Sequence, residues 1–168
     1  MERRLQLAGK YTYLDYAEND RDYLEEDFKN KRVANAVCAL TQNCCEKYLK
    51  HIIDKMYMPD DSQKSAEKDS ILHTHSLRRL MNFIDDETEY SIPKDKRRII
   101  LQVDGYYFNS RYPSDESSFV TEDDIDICKD GLDACVSVVY EILKEHQDKA
   151  ALSTEEEKEP SGFDHTDD

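Results

Sequence analysis

The 168-residue chain has no tryptophan, only four glycines and only four prolines. So few backbone breakers exclude a loop-rich chain and favour long uninterrupted elements. No apolar/polar alternation bounded by turn signals appears, which removes the usual mark of half-buried strands. No apolar stretch is long enough to span a bilayer, and Met1-Glu2-Arg3-Arg4 leads into no long apolar run. The expectation is a cytoplasmic chain with no membrane association. Positive charge is also scarce: 23 Lys and Arg face 38 Asp and Glu, a net charge of −15. Binding long duplex DNA without sequence preference needs a basic footprint, so that class is set aside. A small basic pocket remains compatible with the balance.

Familiar site patterns are missing too. There is no Gly-rich phosphate loop, no G-x-S-x-G, no H-E-x-x-H and no recognisable Cys–His signature. Cys38, Cys44, Cys45, Cys128 and Cys135 are odd in number and include no C-x-x-C pair. They fall on apolar or near-apolar helical positions and read as small core residues in a reducing compartment. His73 and His75 are two apart, so a helix does not set them on one face, and no third metal ligand stands at a sensible spacing. No metal, no cofactor and no catalytic residue are expected.

What is present is a set of helical patterns. The most demanding runs from Val33 to Met56. On a wheel of about 100° per residue, Val33, Val37, Leu40, Cys44, Cys45, Tyr48, Leu49, Ile52, Ile53 and Met56 cover an arc of roughly 220°. That width suits a helix buried on several sides. The narrow remaining arc carries Asn43, Glu46, Lys47, Lys50 and Asp54, and reads as the exposed face. Gln42 falls at the border, inside the apolar edge, where its amide needs a partner.

The other elements are arranged around this one. A first helix is expected from about Thr12 to Lys29, with Tyr16, Asp20, Tyr23 and Asp27 along one edge. The break at Asn30 to Arg32 implies an antiparallel pair. Residues 59–70 are polar and are expected to be mobile. Thr74 or Ser76 can cap a short helix carrying Leu77, Leu80, Met81 and Ile84. A further helix starts near Lys94 and gives way at Asn109-Ser110-Arg111-Tyr112-Pro113, where Pro113 disfavours helical geometry for Tyr112. Thr121 to Asp124 resembles a capping box with Asp in place of Glu. It opens a last long helix to about His146, with Gly131 at the edge of its stripe, placed to allow close approach. Asp148 to Asp168 holds eight acids and two lysines, a composition that favours disorder. The division is a lead-in over 1–11, a helical domain over 12–146 and an acidic disordered tail over 147–168. The fold class is all-α, an antiparallel four- to five-helix bundle.

The cationic and polar groups best placed to converge are Lys47 and Lys50 on the central helix, His75 with Arg78 and Arg79, and Arg111-Tyr112 at the turn. Together such groups suit a phosphate: Arg offers a planar fork, Lys a point charge and Tyr a stacking face for a base. The plainer account of the same residues is caps and surface i, i+4 ion pairs such as Glu46–Lys50 and Lys50–Asp54.

Four pieces, in order, resemble the HEPN domain family of small helical proteins. They are Ala17-Glu-Asn-Asp20 with Tyr23-Leu24, Gln42-Asn-Cys-Cys-Glu46-Lys47-Tyr-Leu49-Lys50, Thr74-His75-Ser76-Leu77, and Tyr107-Phe-Asn-Ser-Arg111-Tyr112-Pro113. Cys44-Cys45 stands where the family often has small residues, and Ser76 where it often has Asp. Many family members cleave RNA with an Arg and a His four to six residues apart on one helix. No Arg here precedes a His by that interval. The class with the Arg-Tyr-Pro turn is the better likeness. It implies a dimeric, non-catalytic nucleotide- or RNA-end-binding module, or an accessory partner of a small nucleotidyltransferase in a toxin–antitoxin-like pair. Carried over by position, the resemblance points to Lys47, Lys50, His75, Arg111 and Tyr112 as ligand-binding residues. The rival expectations are a ribonuclease with a non-standard site using Arg111 and His75, and a purely structural dimeric protein.

Overall fold

The structure, a computed structural model, describes residues 11–109 and 119–156. It comprises helices α1 (Tyr13–Lys29), α2 (Asn35–Met56), α3 (Ser62–Leu72), α4 (Leu77–Glu87), α5 (Lys94–Leu101), α6 (Tyr106–Asn109) and α7 (Glu122–Glu156). No strand occurs among the described residues. The fold is the all-helical bundle expected from the periodicity.

Helix α1 starts where its chemistry dictates. Thr12 accepts from Asp15 N, and the Asp15 carboxylate accepts from Thr12 N at 2.6 Å, a capping box. The hydrogen bonds that the box gives its carboxylate hold Asp15 below the usual carboxylate range. Thr121 and Asp124 repeat the device at the start of α7, with the Asp124 carboxylate 2.7 Å from Thr121 N. Helix α2 has no such side-chain cap. It is held by neighbours, packing against α1, α3, α4, α6 and α7. Cys38, Cys44, Cys45, Tyr48, Leu49, Ile52 and Ile53 are all fully buried.

The helices alternate in direction. A five-residue turn reverses α1 into α2. Asp104, at the end of α5, reaches Leu77 N and Arg78 N at the start of α4, while Arg97 further back on α5 pairs with Asp85 near α4's end. Those two helices therefore oppose each other. At the far side, Val120 N donates to Asn35 Oδ1 at 2.9 Å and Cys135 Sγ contacts Cys45 O. Helix α7 thus runs with α2. Gly131 sets how close α7 lies to α5: a Cβ there would stand 2.2 Å from Val103 Cγ2.

Four expectations need correction. Residues 62–72 form α3, where a mobile polar stretch was expected. Asp61 caps this helix through Lys64 N, and Lys68 fastens it to α2 by reaching the Asp54 carbonyl and carboxylate. The pattern concealed it because Ile71 is its one buried residue. Helix α7 continues to Glu156, ten residues past His146, so order extends into the segment read as a tail. Lys149 supports that extension, bonding Glu89 and Glu145 at 2.8 Å each. The rest of the tail, 157–168, lies outside the described residues. Finally, the narrow arc of α2 is not a solvent face: Glu46 is 2% exposed and Lys50 7%. Val33, placed in the buried arc, precedes the helix and is exposed.

Candidate functional site

The buried polar groups of α2 meet the α3–α4 junction and the α5–α6 turn at one place. Gln42 is fully buried and uses its whole hydrogen-bonding capacity. Its Nε2 donates to His75 O at 2.7 Å and to Glu46 Oε1 at 3.3 Å. Its Oε1 accepts from Gly105 N at 2.9 Å and Tyr107 N at 2.8 Å. One amide therefore registers three separate segments. Gly105, at φ +115°, makes the turn that aims both backbone N–H groups at it.

One helical turn on, Glu46 gathers three donors: Gln42 Nε2, Lys50 Nζ at 3.5 Å and His75 Nδ1 at 3.0 Å. A carboxylate facing Nδ1 favours the tautomer that carries its hydrogen there, with Nε2 the other ring nitrogen. The imidazole stacks on Tyr107, with centroids 4.3 Å apart and planes 10° apart, and Phe108 stands edge-on to both rings. The His75 side chain keeps 38% of its exposure. Asp104 steadies the same loop from behind. Its carboxylate accepts from Leu77 N and Arg78 N at 3.1 Å each and from Ser76 Oγ, while Ser76 caps α4 through Arg79 N.

Lys50 is the least satisfied member. Its side chain is over nine-tenths buried, and the ammonium's one partner among the described residues is Glu46, at 3.5 Å. An ammonium has three donors, and a buried cation with donors to spare is costly unless an acceptor reaches it. The Lys50–Asp54 pair suggested by spacing does not form; Asp54 is held by Lys68.

Of the five residues expected to bind a ligand, Lys50 and His75 are brought together, bridged by Glu46. Lys47 is not part of this group. It turns toward α1 and ion-pairs with Asp20. Arg111 and Tyr112 lie outside the described residues. Tyr107, Asp104 and Glu46 were missed as site components. Asp104-Gly105 is a turn signal, and it was the available hint that the fourth helix breaks there. A cavity of about 330 Å³ at the start of α1 has different chemistry: it is lined by Tyr11, Asp15, Tyr16 and Asn19, none of them basic. Among the described residues no group of three or more His, Cys, Asp or Glu converges to hold a metal ion. Nor is any described helix long and apolar enough to cross a membrane.

The profile of the HEPN domain matches residues 64–156, from α3 through α7. His75, Asp104 and Tyr107 fall within that match; Gln42, Glu46 and Lys50 on α2 precede it. No curated protein and no solved structure matches the chain.

Proposed function

The chain belongs to the HEPN domain family, and from that membership together with the Lys50 geometry we propose that it binds the phosphate of a nucleotide or of an RNA end without cleaving it. The observation that carries the reading is the Lys50 ammonium, which ends a side chain over nine-tenths buried and has unfilled donors, sharing Glu46 with a half-buried His75. A phosphate oxygen supplies the acceptor that Lys50 lacks. A second oxygen accepts from Nε2 when the imidazole is protonated. The His75, Tyr107 and Phe108 rings form an aromatic cluster on which a base can stack, as nucleic-acid-binding surfaces commonly use. Arg111 and Tyr112 follow α6 closely in sequence and, by resemblance, complete the phosphate and base contacts. Service as the accessory subunit of a small nucleotidyltransferase in a toxin–antitoxin-like pair belongs to the same proposal, and co-purification with such an enzyme tests it.

Calorimetric titration with AMP and with inorganic phosphate tests the ligand. Heat is expected for the natural chain, and Lys50→Met should weaken binding by at least about tenfold, a change of about 1.4 kcal/mol. The same substitution leaves the buried Glu46 carboxylate with two donors in place of three, so a stability loss of about 1–3 kcal/mol is expected and binding is compared on folded protein. No heat with either probe overturns the reading.

A second reading has one observation in its favour. A carboxylate fixing one imidazole nitrogen and leaving the other free is the arrangement of a general base. Labelled RNA incubated with the purified chain should remain intact; cleavage that disappears in His75→Ala would establish the ribonuclease reading instead.

A further inference from the structure

Two aromatic side chains at the start of α1 have no part in the core. Tyr11 and Tyr16 are each more than half exposed, and neither is among the apolar side chains packed on the bundle interior. Their rings nonetheless meet near a right angle, with centroids 6.3 Å apart and planes 73° apart. Both line the cavity of about 330 Å³ that Asp15 and Asn19 complete. Tyr16 stands on the helix and Tyr11 just before its cap at Thr12, so the capping box sets where the two rings meet. Apolar ring surface left in water is free energy that a ligand can recover.

The cavity is also electrostatically one-sided. The bonds from Thr12 hold the Asp15 carboxyl below the usual carboxylate range, so it is ionised at neutral pH. Both bonds from Thr12 end on Oδ2. Among the described residues no Lys or Arg pairs with Asp15; Lys47 and Lys68, the cations that α2 draws in, go to Asp20 and Asp54. The imidazole that acts on Asp15 from α2 is His51, whose pKa burial lowers, with Lys55 adding to the effect. The positive end of α1 opposes a cation here, but it amounts to about half a unit charge against the full charge of Asp15.

These walls select among ligands. An anion would meet Asp15 with no cation to receive it. A hard metal ion needs several oxygens, and no metal-holding cluster forms among the described residues. A neutral apolar molecule would bury the carboxylate without pairing it. An alkylated ammonium suits every wall: its methyl groups pack on the rings, the ring faces attract its charge, Asp15 balances it, and it demands no hydrogen-bond acceptor. Two rings near a right angle can turn their faces to one cation. A charge about 4.5 Å above each of two perpendicular faces, within the roughly 6 Å reach of the interaction, sets the centroids roughly 6.4 Å apart. We propose that Tyr11, Tyr16 and Asp15 bind a quaternary ammonium group, carried by a small solute such as choline or by a trimethylated lysine. The net charge of −15 raises the local concentration of such cations. This inference is independent of the phosphate reading.

Proton NMR of choline titrated with the full chain tests it. The N-methyl resonance should move upfield and saturate, because the methyl groups enter the shielded region above the rings. The neutral isostere 3,3-dimethylbutan-1-ol should bind at least about threefold more weakly, the size of one exposed cation–π contact. Tyr11→Ala and Tyr16→Ala should each weaken choline binding by at least about threefold. Tyr16→Phe should retain it, since the ring face makes the contact and the hydroxyl does not. Asp15→Asn keeps an acceptor for the Thr12 cap and should weaken choline more than its isostere. A trimethyl-lysine peptide run in parallel distinguishes the two sources: binding of either supports the proposal, and the tighter one identifies the carrier. No shift with choline and no binding of the peptide overturns it. So does an isostere that binds as well as choline, or a Tyr16→Ala variant that binds as the parent does; circular dichroism confirms that each variant is folded.

Discussion

Helix α2 has two buried sides of opposite character. Toward α7 it is almost dry. Cys38 and Cys45 there engage Cys128 and Cys135, and each pair is separated by seven residues along its helix. Hydrogen bonding to Cys135 together with burial raises the Cys45 thiol, and a bond to Cys38 together with burial raises the Cys128 thiol, so Cys45 and Cys128 remain neutral core groups. Toward the α3–α6 segments the same helix buries an amide, a carboxylate and an ammonium. The dry side holds the bundle together by close packing, which tolerates many side chains of suitable volume. The polar side requires named partners at named atoms. It fixes the loop bearing His75 and the turn bearing Tyr107, at the expense of desolvating charge. One side explains why the chain folds; the other carries the proposed phosphate site.

The sharpest way to break this contrast is at Glu46. Glu46→Ala strands the Lys50 ammonium in the interior and removes the acceptor of Gln42 and His75. A loss of about 3–5 kcal/mol is expected, read from urea unfolding. Set beside the smaller loss expected of Lys50→Met, it separates the group that secures the polar side from the group proposed to meet a phosphate. Equal losses in the two variants would mean that Lys50 is a structural partner of Glu46 and not a waiting donor.

Packing can be challenged at Gly131. Its absent Cβ leaves room for Val103, which would otherwise stand 2.2 Å away. Gly131→Ala gains helix propensity but forces α5 and α7 apart, for a net loss of about 1–3 kcal/mol by the same assay. Because α5 leads into the turn held by Gln42, this variant also asks whether the two sides are coupled. Binding of AMP should weaken only as far as the folded fraction falls.

Periodicity revealed the apolar frame because burial leaves a periodic trace. The stripes of α1, α2, α4 and α7 were legible, as were the Thr121–Asp124 cap, the close approach at Gly131 and the need of Gln42 for a partner. Helix α3 left no such trace, since a short exposed helix fastened by Asp61 and Lys68 has almost no apolar face. Glu46 and Lys50 were misplaced for a related reason. A wheel assigns charge to solvent, and nothing local to α2 reveals that the His75 loop and the Gly105 turn fold over it. Lys47 shows the reverse difficulty. It shares the arc with Lys50, yet a partner on α1 draws it away. Convergence of Lys50 and His75 is a tertiary fact, 25 residues apart in sequence; both were among the groups expected to converge in a bundle, and the resemblance pointed to them again.

The smallest expected effect concerns a histidine on the α1 side of α2. Burial, with Lys55 adding to it, lowers the pKa of His51 below the usual histidine value, against weaker opposing influences from Asp54 and Asp15. The unfolded chain therefore takes up this proton at higher pH than the folded chain does. Stability from keeping His51 neutral is complete above the ordinary imidazole pKa of about 6.5 and declines as pH falls below it, until the folded form also protonates. Lower pH also relieves repulsion in a chain of net charge −15, so the total trend mixes two contributions of opposite sign. His51→Gln isolates the first. Between pH 7.5 and 5.5, roughly spanning the imidazole range, the melting temperature of the natural chain should fall relative to the variant's. Parallel curves for the natural chain and His51→Gln would show that the α1 side of α2 admits a charged imidazole as readily as water does.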